Sequence, residues 1–524
     1  GSLVFTGGEH DPDTIATLRD MGFSAPEIVS STVRGWHHGR HRAMRSTRAR
    51  EILTELMPAL LAALAKTANP DQAFSRLDAF LERLPAGVQL FSLFHSNPSL
   101  LELVAEIMGG APRLAAWLSR NPLLLDRVLE PSFYERLPDT RTMAAELSAK
   151  LDQARDMEDV LDLSRRWTNE AKFQVGAHIL RNLADLDEAG RALSNIADTV
   201  IRTLLPRLEE EFVDRHGYCA GDGFGVVALG KLGGRELTAT SDLDLVFLYD
   251  APADAPQSDG ARPLSLAHYY QRFGQRVIAA LTALTGEGRL FDVDLRLRPS
   301  GNAGPLAVSL DAFTRYQSEE AWTWEHLALT RARVVEAAPP LADRIERAIS
   351  HALCLERDPE ELLLAVAEMR ERIDREHHTE NPWRVKHYRG GLIDCEFIAQ
   401  YLELRHAHDH HDVLSASTVT AYERLAGRGL LSGDVATELI EATRFWRRLQ
   451  GMLRLAFVGE ATGETLPPAL QRALAQAGGA VDFANLSAKV KEVAARTRAH
   501  FEAIIDIPAA RIRGSADQPG EGLP

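Results

Sequence analysis

Two short apolar segments in the middle of the chain predict a pair of buried strands. The first covers residues 226–229 and the second covers residues 243–249, and a glycine-rich turn separates them. Short apolar runs bounded by turn residues are typical of buried strands. We therefore expect a small sheet to be built around residues 225–250.

A strict alternation further along the chain predicts a third strand. Residues 291–298 place Phe291, Val293, Leu295 and Leu297 on one face and Asp292, Asp294, Arg296 and Arg298 on the other. A repeat of two residues is the side-chain period of a strand. Between the second and third strands, residues 266–284 repeat apolar positions at helical spacing, which predicts an amphipathic helix packed on the sheet.

The remainder of the chain has helical periodicity. The fold is therefore expected to be predominantly helical α+β, with a small mixed sheet flanked by helical bundles on both sides. We divide the chain into a helical linker or regulatory region (1–155), a sheet-bearing domain (156–340), a helical bundle (341–514) and a disordered tail (515–524).

Two acidic residues on the second strand predict a metal site. Asp242 and Asp244 are two residues apart, so their carboxylates share a face of the strand. Like charges this close repel each other unless a cation holds them, and hard oxygen ligands favour magnesium. If the third strand pairs beside the second, Asp294 joins them, and three carboxylates can bridge two magnesium ions. The alternative is a set of strand-end acids that hold no ligand.

The glycine-rich turn indicates a nucleotide site. Gly230, Gly233 and Gly234 allow the backbone to approach a phosphate closely, and magnesium in proteins commonly completes its coordination with substrate phosphate. The turn also fits the spacing of a P-loop as far as Lys231. Leu232 stands where a P-loop requires Ser or Thr, so that motif is excluded.

Composition narrows the class of protein. The chain of 524 residues carries a net charge of −15, which argues against nucleic acid as its partner. Its three cysteines are widely spaced, so neither a disulfide framework nor a zinc knuckle is expected. No apolar stretch is long enough to span a membrane, and a cytoplasmic location is expected.

These motifs resemble a known family. The Gly-Lys-Leu-Gly-Gly turn, the Ser241-Asp242-Leu243-Asp244 strand and the later Val293-Asp294-Leu295-Arg296 segment resemble the nucleotidyltransferase superfamily of DNA polymerase beta. Further motifs at Trp322-Thr323-Trp324-Glu325-His326, at Arg331-Ala332-Arg333 and at Gly390-Gly391-Leu392-Ile393-Asp394 look like glutamine synthetase adenylyltransferase, the bifunctional adenylylating and adenylyl-removing enzyme. The resemblance covers essentially the whole chain.

The resemblance implies that the chain is one half of such an enzyme. The family carries two nucleotidyltransferase domains in tandem, whereas the glycine turn and Asp-x-Asp signature occurs once here. Gly1-Ser2 at the start, without a methionine, is typical of a trimmed expression product. The form of the motifs is similar to the carboxy-terminal half, which implies transfer of AMP from ATP to a tyrosine hydroxyl of glutamine synthetase, within nitrogen control.

The same resemblance assigns expected roles to residues. Asp242, Asp244 and Asp294 are the expected catalytic and magnesium-binding residues, and Asp294 is the candidate for taking up the hydroxyl proton. The expected nucleotide-binding residues are Lys231, Gly233, Gly234, Ser241, Arg296 and Arg298. Either Arg296 or Arg298 would neutralise charge on the leaving pyrophosphate. Phosphorolytic removal of AMP from glutamine synthetase, and metal or nucleotide binding without turnover, remain as alternatives.

The resemblance also implies partners. A PII signal-transduction protein and glutamine are the expected regulators, although no motif locates their contacts.

Several residues outside the main motifs allow two interpretations. Trp322 and Trp324 could stack on adenine, but buried aromatic packing is the favoured reading. Arg331 and Arg333 could clamp phosphate or form ion pairs. Asp394 and Glu396 could lie near the nucleotide, but acids at a helix start more commonly cap it.

Overall fold

Helices make up most of the protein. The structure is a computed structural model that describes residues 3–5, 10–252, 254–457 and 459–516. Before and within the sheet region lie α1 Pro12–Asp20, α2 Pro26–His37, α3 Thr47–Ala65, α4 Pro70–Glu82, α5 Val88–Ser96, α6 Pro98–Gly110, α7 Pro112–Arg120, α8 Leu124–Val128, α9 Thr140–Leu151, α10 Met157–Leu180, α11 Leu186–His216, α12 Gly230–Gly233, α13 Leu266–Thr282, α14 Leu310–Glu319 and α15 Thr323–Leu329. After it lie α16 Pro339–Leu353, α17 Pro359–His377, α18 Leu392–His406, α19 Thr418–Gly427, α20 Gly433–Ala456, α21 Pro468–Ala477, α22 Phe483–Phe501 and α23 Ile507–Ala516. Residues 517–524 of the predicted tail are outside the described residues.

The helix starts follow from local sequence. The side chains of Asp11, Ser46 and Ser309 accept hydrogen bonds from backbone N–H groups in the first turns of α1, α3 and α14. Such caps satisfy donors that have no partner within the helix. Many other helices, including α2, α6 and α16, begin with proline, whose fixed φ and missing N–H suit the first helical position.

Five strands form the sheet: β1 Phe224–Ala228, β2 Leu243–Tyr249, β3 Val293–Asp294, β4 Ala307–Ser309 and β5 Arg333–Glu336. The order is β3-β2-β1-β5, and β4 also pairs with β2. β1 is antiparallel to β2 and to β5, whereas β3 and β4 run parallel to β2. The predictions of a predominantly helical α+β fold and of a small mixed sheet are confirmed.

The chain divides into two compact units. One comprises Gly1–Leu137, Asn169–Asp185 and Met452–Phe483, and the other comprises Pro138–Thr168, Leu186–Gly451 and Ala484–Pro524. The first unit is helical, and Trp36 at its centre stacks on Phe74 and donates a hydrogen bond from Nε1 to Asp78 at 2.7 Å. The second unit contains the whole sheet.

One hydrophobic core joins the sheet to the helices that follow it. Val227 of β1 and Leu248 of β2 belong to the same buried cluster as Ile345 of α16, Leu402 of α18 and Tyr422 of α19. Because this core includes residues on both sides of position 340, the sheet and the following helices bury their apolar surface together.

A glycine turn before α18 is closely packed. Gly390 has φ +82°, and a Cβ there would lie 1.9 Å from the carbonyl oxygen of Ala494. We expect Gly390→Ala to destabilise the protein by roughly 2 kcal/mol or more, because it combines backbone strain with a clash against main chain. Urea unfolding followed by circular dichroism measures this loss of stability.

Gly427→Ala is the control, since a Cβ there meets nothing within 4 Å. It should leave stability unchanged or raise it by up to about 1 kcal/mol. An equal loss in both variants would contradict the packing argument.

Candidate active site

Two of the predicted carboxylates face each other across adjacent strands. Asp244 of β2 and Asp294 of β3 are register partners in the parallel pair, next to Leu243 and Val293. The prediction that the third strand pairs beside the second is therefore correct, and neighbouring strands are about 4.8 Å apart. Like charges at this separation interact strongly when they are partly buried.

The third carboxylate lies at the entrance to β2. Asp242 directly precedes the strand and is exposed. Ser241 fixes this entrance, because its hydroxyl accepts a hydrogen bond from the Thr238 N–H at 2.9 Å and pairs with the Thr238 hydroxyl at 2.8 Å. Ser241 thus supports the turn that carries Asp242.

The electrostatics of the pair are asymmetric. Burial, then the charge of Asp294 and that of Asp242, raise the pKa of Asp244 from 3.8 to about 6. In contrast, hydrogen bonds from Arg296 lower the pKa of Asp294. The two pKa values shift in opposite directions for two reasons. Asp244 is the more buried of the two carboxylates, and Arg296 donates its hydrogen bonds to Asp294.

The third strand is shorter than the alternation predicted. Only Val293 and Asp294 are in β3, and the chain then turns. The Asp294 carboxylate accepts the Arg296 backbone N–H at 2.9 Å, and a bond from a side chain to the backbone two residues on ends a strand. The prediction of one strand over residues 291–298, with both arginines on its polar face, is therefore wrong.

The two arginines after β3 have different partners. Arg296 contacts both oxygens of Asp294, with Nη2 at 2.6 Å from Oδ2, although 74% of its side chain is exposed. Arg298 donates to the carbonyls of Leu295 and Gly304 and so closes the turn. Arg296 is therefore free to exchange partners, whereas Arg298 is part of the local framework.

The glycine turn is folded into the short helix α12. Gly230, at φ +54°, lies against the site, and a Cβ there would be 2.2 Å from Oδ2 of Asp244. The N–H groups of Gly233 and Gly234 donate to the carbonyls of Leu229 and Gly230. A Cβ at Gly233 would lie 1.9 Å from the carbonyl oxygen of Arg331. The N–H groups of Gly233 and Gly234 are therefore used within α12, and their expected role in binding nucleotide stays a prediction.

Two other residues near this turn are expected to bind nucleotide: Lys231, which precedes Glu236 in the sequence, and Ser241, which follows it. Both are partly buried. The Lys231 carbonyl accepts the Glu236 N–H at 2.8 Å, which closes the end of α12. Both residues therefore belong to the segment that connects β1 to β2.

Arg331 and Arg333 form ion pairs. The fully buried Arg331 is 2.7 Å from Glu236 and donates to Glu396 at 2.9 Å. Arg333 binds both oxygens of Asp198, a completely buried residue of α11. The sequence allowed either a phosphate clamp or ion pairs for these two residues, and the structure shows ion pairs for both.

The acids at the start of α18 are structural partners. Asp394 is fully buried, accepts the Gly390 N–H at 2.5 Å and pairs with Nε of Arg370 at 2.5 Å. Glu396 in the next turn pairs with Arg331. The capping interpretation therefore describes Asp394, and an ion pair describes Glu396.

The two tryptophans are not core residues. The exposed fraction of Trp322 is 71% and that of Trp324 is 39%, so the prediction of buried aromatic packing is wrong. The reason is that Trp322 is the N-cap of α15, where Glu325 accepts its backbone N–H at 2.8 Å.

Sequence reasoning did not single out Lys386. This exposed residue lies in the segment between α17 and α18, and its charge partly offsets the rise in the pKa of Asp244. The available signal was the cluster of Arg384, Lys386 and Arg389 immediately before the Gly-Gly turn. Basic residues ahead of a glycine turn are a common feature of phosphate sites.

The three acidic residues have the chemistry of magnesium ligands, but the structure does not gather them into a metal site. Asp242, Asp244 and Asp294 supply the hard oxygen ligands that magnesium prefers. Within the described ranges, no group of three or more Asp, Glu, His or Cys side chains is gathered closely enough to form a metal site. Arg296 holds both oxygens of Asp294. A cation would relieve the like-charge repulsion that contributes to the raised pKa of Asp244.

Burial of Asp244, together with this repulsion, predicts that Asp244→Asn stabilises the fold in metal-free buffer. A folded-state pKa of about 6 against 3.8 means that the ionised carboxylate costs stability above pH 6, and that this cost disappears below about pH 4. We expect a gain of roughly 1–3 kcal/mol at pH 7.5 that shrinks toward pH 4. Urea unfolding in EDTA at several pH values measures it, with Asp292→Asn as an exposed control. A loss of stability, or a gain independent of pH, would contradict the electrostatic account.

Acids on two adjacent strands of a mixed sheet, next to a glycine turn, are the arrangement that the sequence predicts for the nucleotidyltransferase class. Comparison with known proteins identifies the family.

A family model described as glutamate-ammonia ligase adenylyltransferase matches residues 101–348, and one described as GlnD PII-uridylyltransferase matches residues 365–505. Three curated relatives are named bifunctional glutamine synthetase adenylyltransferase/adenylyl-removing enzyme. The one from Mesorhizobium japonicum is 44% identical over 96% of this chain, the one from Xanthobacter autotrophicus is 42% identical over 97%, and the one from Bradyrhizobium diazoefficiens is 40% identical over 96%. In each case the match covers 51% of the relative. The chain belongs to the glutamine synthetase adenylyltransferase family. It spans about half the length of the curated relatives it matches.

No helix among the described residues combines the length and apolar character needed to cross a membrane.

Proposed function

We propose that this chain transfers AMP from ATP to a tyrosine hydroxyl of glutamine synthetase and releases pyrophosphate. The observation that carries the proposal is the facing pair Asp244 and Asp294 on β2 and β3, with Asp242 at the entrance to β2. The names of relatives that match 96% of the chain supply the reaction and its substrate.

The three carboxylates have distinct roles in this proposal. Asp242, Asp244 and Asp294 would hold magnesium, which neutralises charge on the triphosphate and orients it for in-line attack. Asp294 would take up the proton of the attacking hydroxyl. For this, Arg296 must leave the carboxylate, and its exposure permits that movement. The released guanidinium would then contact phosphate oxygens, for which its forked donors are suited.

The remaining residues expected to bind nucleotide support the site in different ways. Gly230 allows α12 to pack against Asp244. Gly233 and Gly234 make room for Arg331, and Ser241 holds the turn before Asp242. Lys231 contributes positive charge near the turn, and Arg298 closes the turn after β3. We therefore assign direct phosphate contact to Arg296 and a supporting role to the glycines, Ser241 and Arg298.

Regulation by a PII protein and by glutamine is part of the proposal. Its support is the family model that matches residues 365–505, whose description names a PII-modifying enzyme. A cytoplasmic location is proposed with it, since the substrates ATP and glutamine synthetase are found there.

Radiolabelled ATP tests the proposal. The protein is incubated with α-labelled ATP, magnesium and unmodified glutamine synthetase, and label on the synthetase is measured with and without the protein. We expect labelled synthetase and an equal amount of pyrophosphate. A synthetase whose acceptor tyrosine is replaced by phenylalanine is the control and should stay unlabelled.

Two other outcomes would replace the proposal. Phosphate-dependent release of AMP from the modified synthetase, without label incorporation, would assign the adenylyl-removing reaction, which the relatives' names also include. Binding of ATP with neither reaction would assign a regulatory module. Both outcomes would contradict AMP transfer by this chain.

A further inference from the structure

The segment between α17 and α18 places a positive charge beside the carboxylate pair. Lys386 is exposed, and its positive charge favours the ionised form of Asp244. Its side-chain ammonium has no hydrogen-bond or ion-pair partner among the described residues. The cation is therefore available to a ligand that reaches the site.

The backbone that carries Lys386 is fixed. The Lys386 carbonyl accepts the Ile393 N–H at 3.2 Å, and the Val385 carbonyl accepts the Leu392 N–H at 2.9 Å. These bonds tie the segment to the first turn of α18, which the buried Asp394 closes through the Gly390 N–H. Lys386 thus has a defined starting point, from which only its flexible side chain moves.

A second set of contacts, independent of the charge on Asp244, places this segment next to the glycine turn. Glu396, one turn into α18, pairs with Arg331, and Arg331 pairs with Glu236. Glu236 lies three residues beyond the end of α12, and Gly233 and Gly234 both pack against Arg331. The start of α18 and the turn between β1 and β2 are therefore held together by buried charges.

We propose that Lys386 binds the β- and γ-phosphates of the nucleotide and stabilises the departing pyrophosphate. This inference rests on the proposed function. In the transfer step, the acceptor oxygen forms a bond to the α-phosphorus, and the bond from that phosphorus to the bridging oxygen of the β-phosphate breaks. The electron pair leaves with pyrophosphate, and Lys386 keeps its proton and neutralises the charge that develops.

Nucleotide titrations separate this role from a structural one. Binding of ATP, ADP and AMP, each with magnesium, is measured by calorimetry for the wild type, Lys386→Gln and Lys386→Arg. We expect Lys386→Gln to weaken ATP binding by roughly 10- to 100-fold and AMP binding by less than about twofold, since only the outer phosphates lose a charged partner. ADP should fall between them, and Lys386→Arg should keep most of the ATP affinity. In turnover, kcat/KM for ATP should fall with the affinity.

Lys491→Gln is the matched control, because Lys491 is an exposed lysine on α22. Its affinities should equal those of the wild type. If Lys386→Gln binds ATP as Lys491→Gln does while the wild type binds and turns over ATP, the inference is overturned and the proposed function stands. Equal losses for ATP, ADP and AMP would show that Lys386 only maintains the segment and would also overturn it. If the wild type binds no nucleotide, both the inference and the proposed function fail. Thermal melts of each variant verify folding.

Discussion

Asp242→Asn is expected to lower the rate of the proposed AMP transfer by roughly a thousandfold or more, because it removes an anionic ligand from the proposed magnesium site. The substitution keeps the size of the side chain. Because Asp242 is exposed at the entrance to β2, the free energy of unfolding should change little. The rate is measured as label transferred from ATP to glutamine synthetase under single-turnover conditions.

The control for this experiment is Asp292→Asn. Asp292 lies two residues before Asp294 and is also exposed, but it pairs with Arg289. Its loss removes one negative charge from the same region without removing a proposed ligand, so the rate should stay within about threefold of the wild type. If Asp242→Asn transfers AMP at a rate near that of the wild type, Asp242 is not part of the active site. A similar loss in both variants would indicate a general effect of surface charge.

Arg331→Met is expected to destabilise the second unit by about 3–5 kcal/mol, because it leaves two buried carboxylates without their cation. Glu236 and Glu396 both lie within 3 Å of the Arg331 guanidinium, and all three side chains are largely buried. Arg447 also pairs with Glu236 and can compensate for part of the loss. Thermal and urea unfolding measure the change.

A charge removed from the surface provides the comparison. Arg347 of α16 is exposed and its Nε donates to the Asp343 carbonyl, so Arg347→Met should cost less than about 1 kcal/mol. The double variant Arg331→Met with Glu236→Gln tests whether the unpaired carboxylates cause the loss of stability, since it removes one of the two charges that Arg331→Met leaves unpaired. If the double variant is no more stable than Arg331→Met alone, the buried repulsion is not the cause of the loss.

Local sequence was sufficient for the second strand and for the helix that packs on the sheet. The boundaries of β2 agree with the apolar run, and the predicted amphipathic helix agrees with α13. The acidic pair was found because a period of two is a local property, and the third acid was found because its strand shares the same pattern. The assumption that the two acidic strands are neighbours agrees with the pairing of Asp244 with Asp294, whereas the parallel direction of the strands is known only from the structure.

The alternation at residues 291–298 misled because a polar side chain can bond its own backbone. The periodicity describes which side chains could share a face, but Asp294 accepts the Arg296 N–H and ends the strand after two residues. Such competition between a side chain and a strand ladder depends on the conformation of one turn. Periodicity alone does not reveal it.

Residues that act through distant partners could not be predicted. One cation that pairs with Glu236, Arg331, is 95 positions away in the chain, and the charge of Lys386 acts on Asp244 from a distant segment of the sequence. The glycines of the turn were correctly recognised as close-approach positions, but the group that approaches Gly233 is the Arg331 carbonyl. The sequence indicates that space is needed, and only the tertiary fold identifies what fills it.

The shared core has a consequence for dissecting the protein. A fragment that ends at residue 340 would keep every strand but would expose the apolar side of Val227 and Leu248 to water, and it would separate Arg331 from Glu396. Such a fragment should aggregate rather than retain partial activity. A minimal active piece must therefore extend through α18 and α19, and limited proteolysis should release the sheet and these helices as one resistant body.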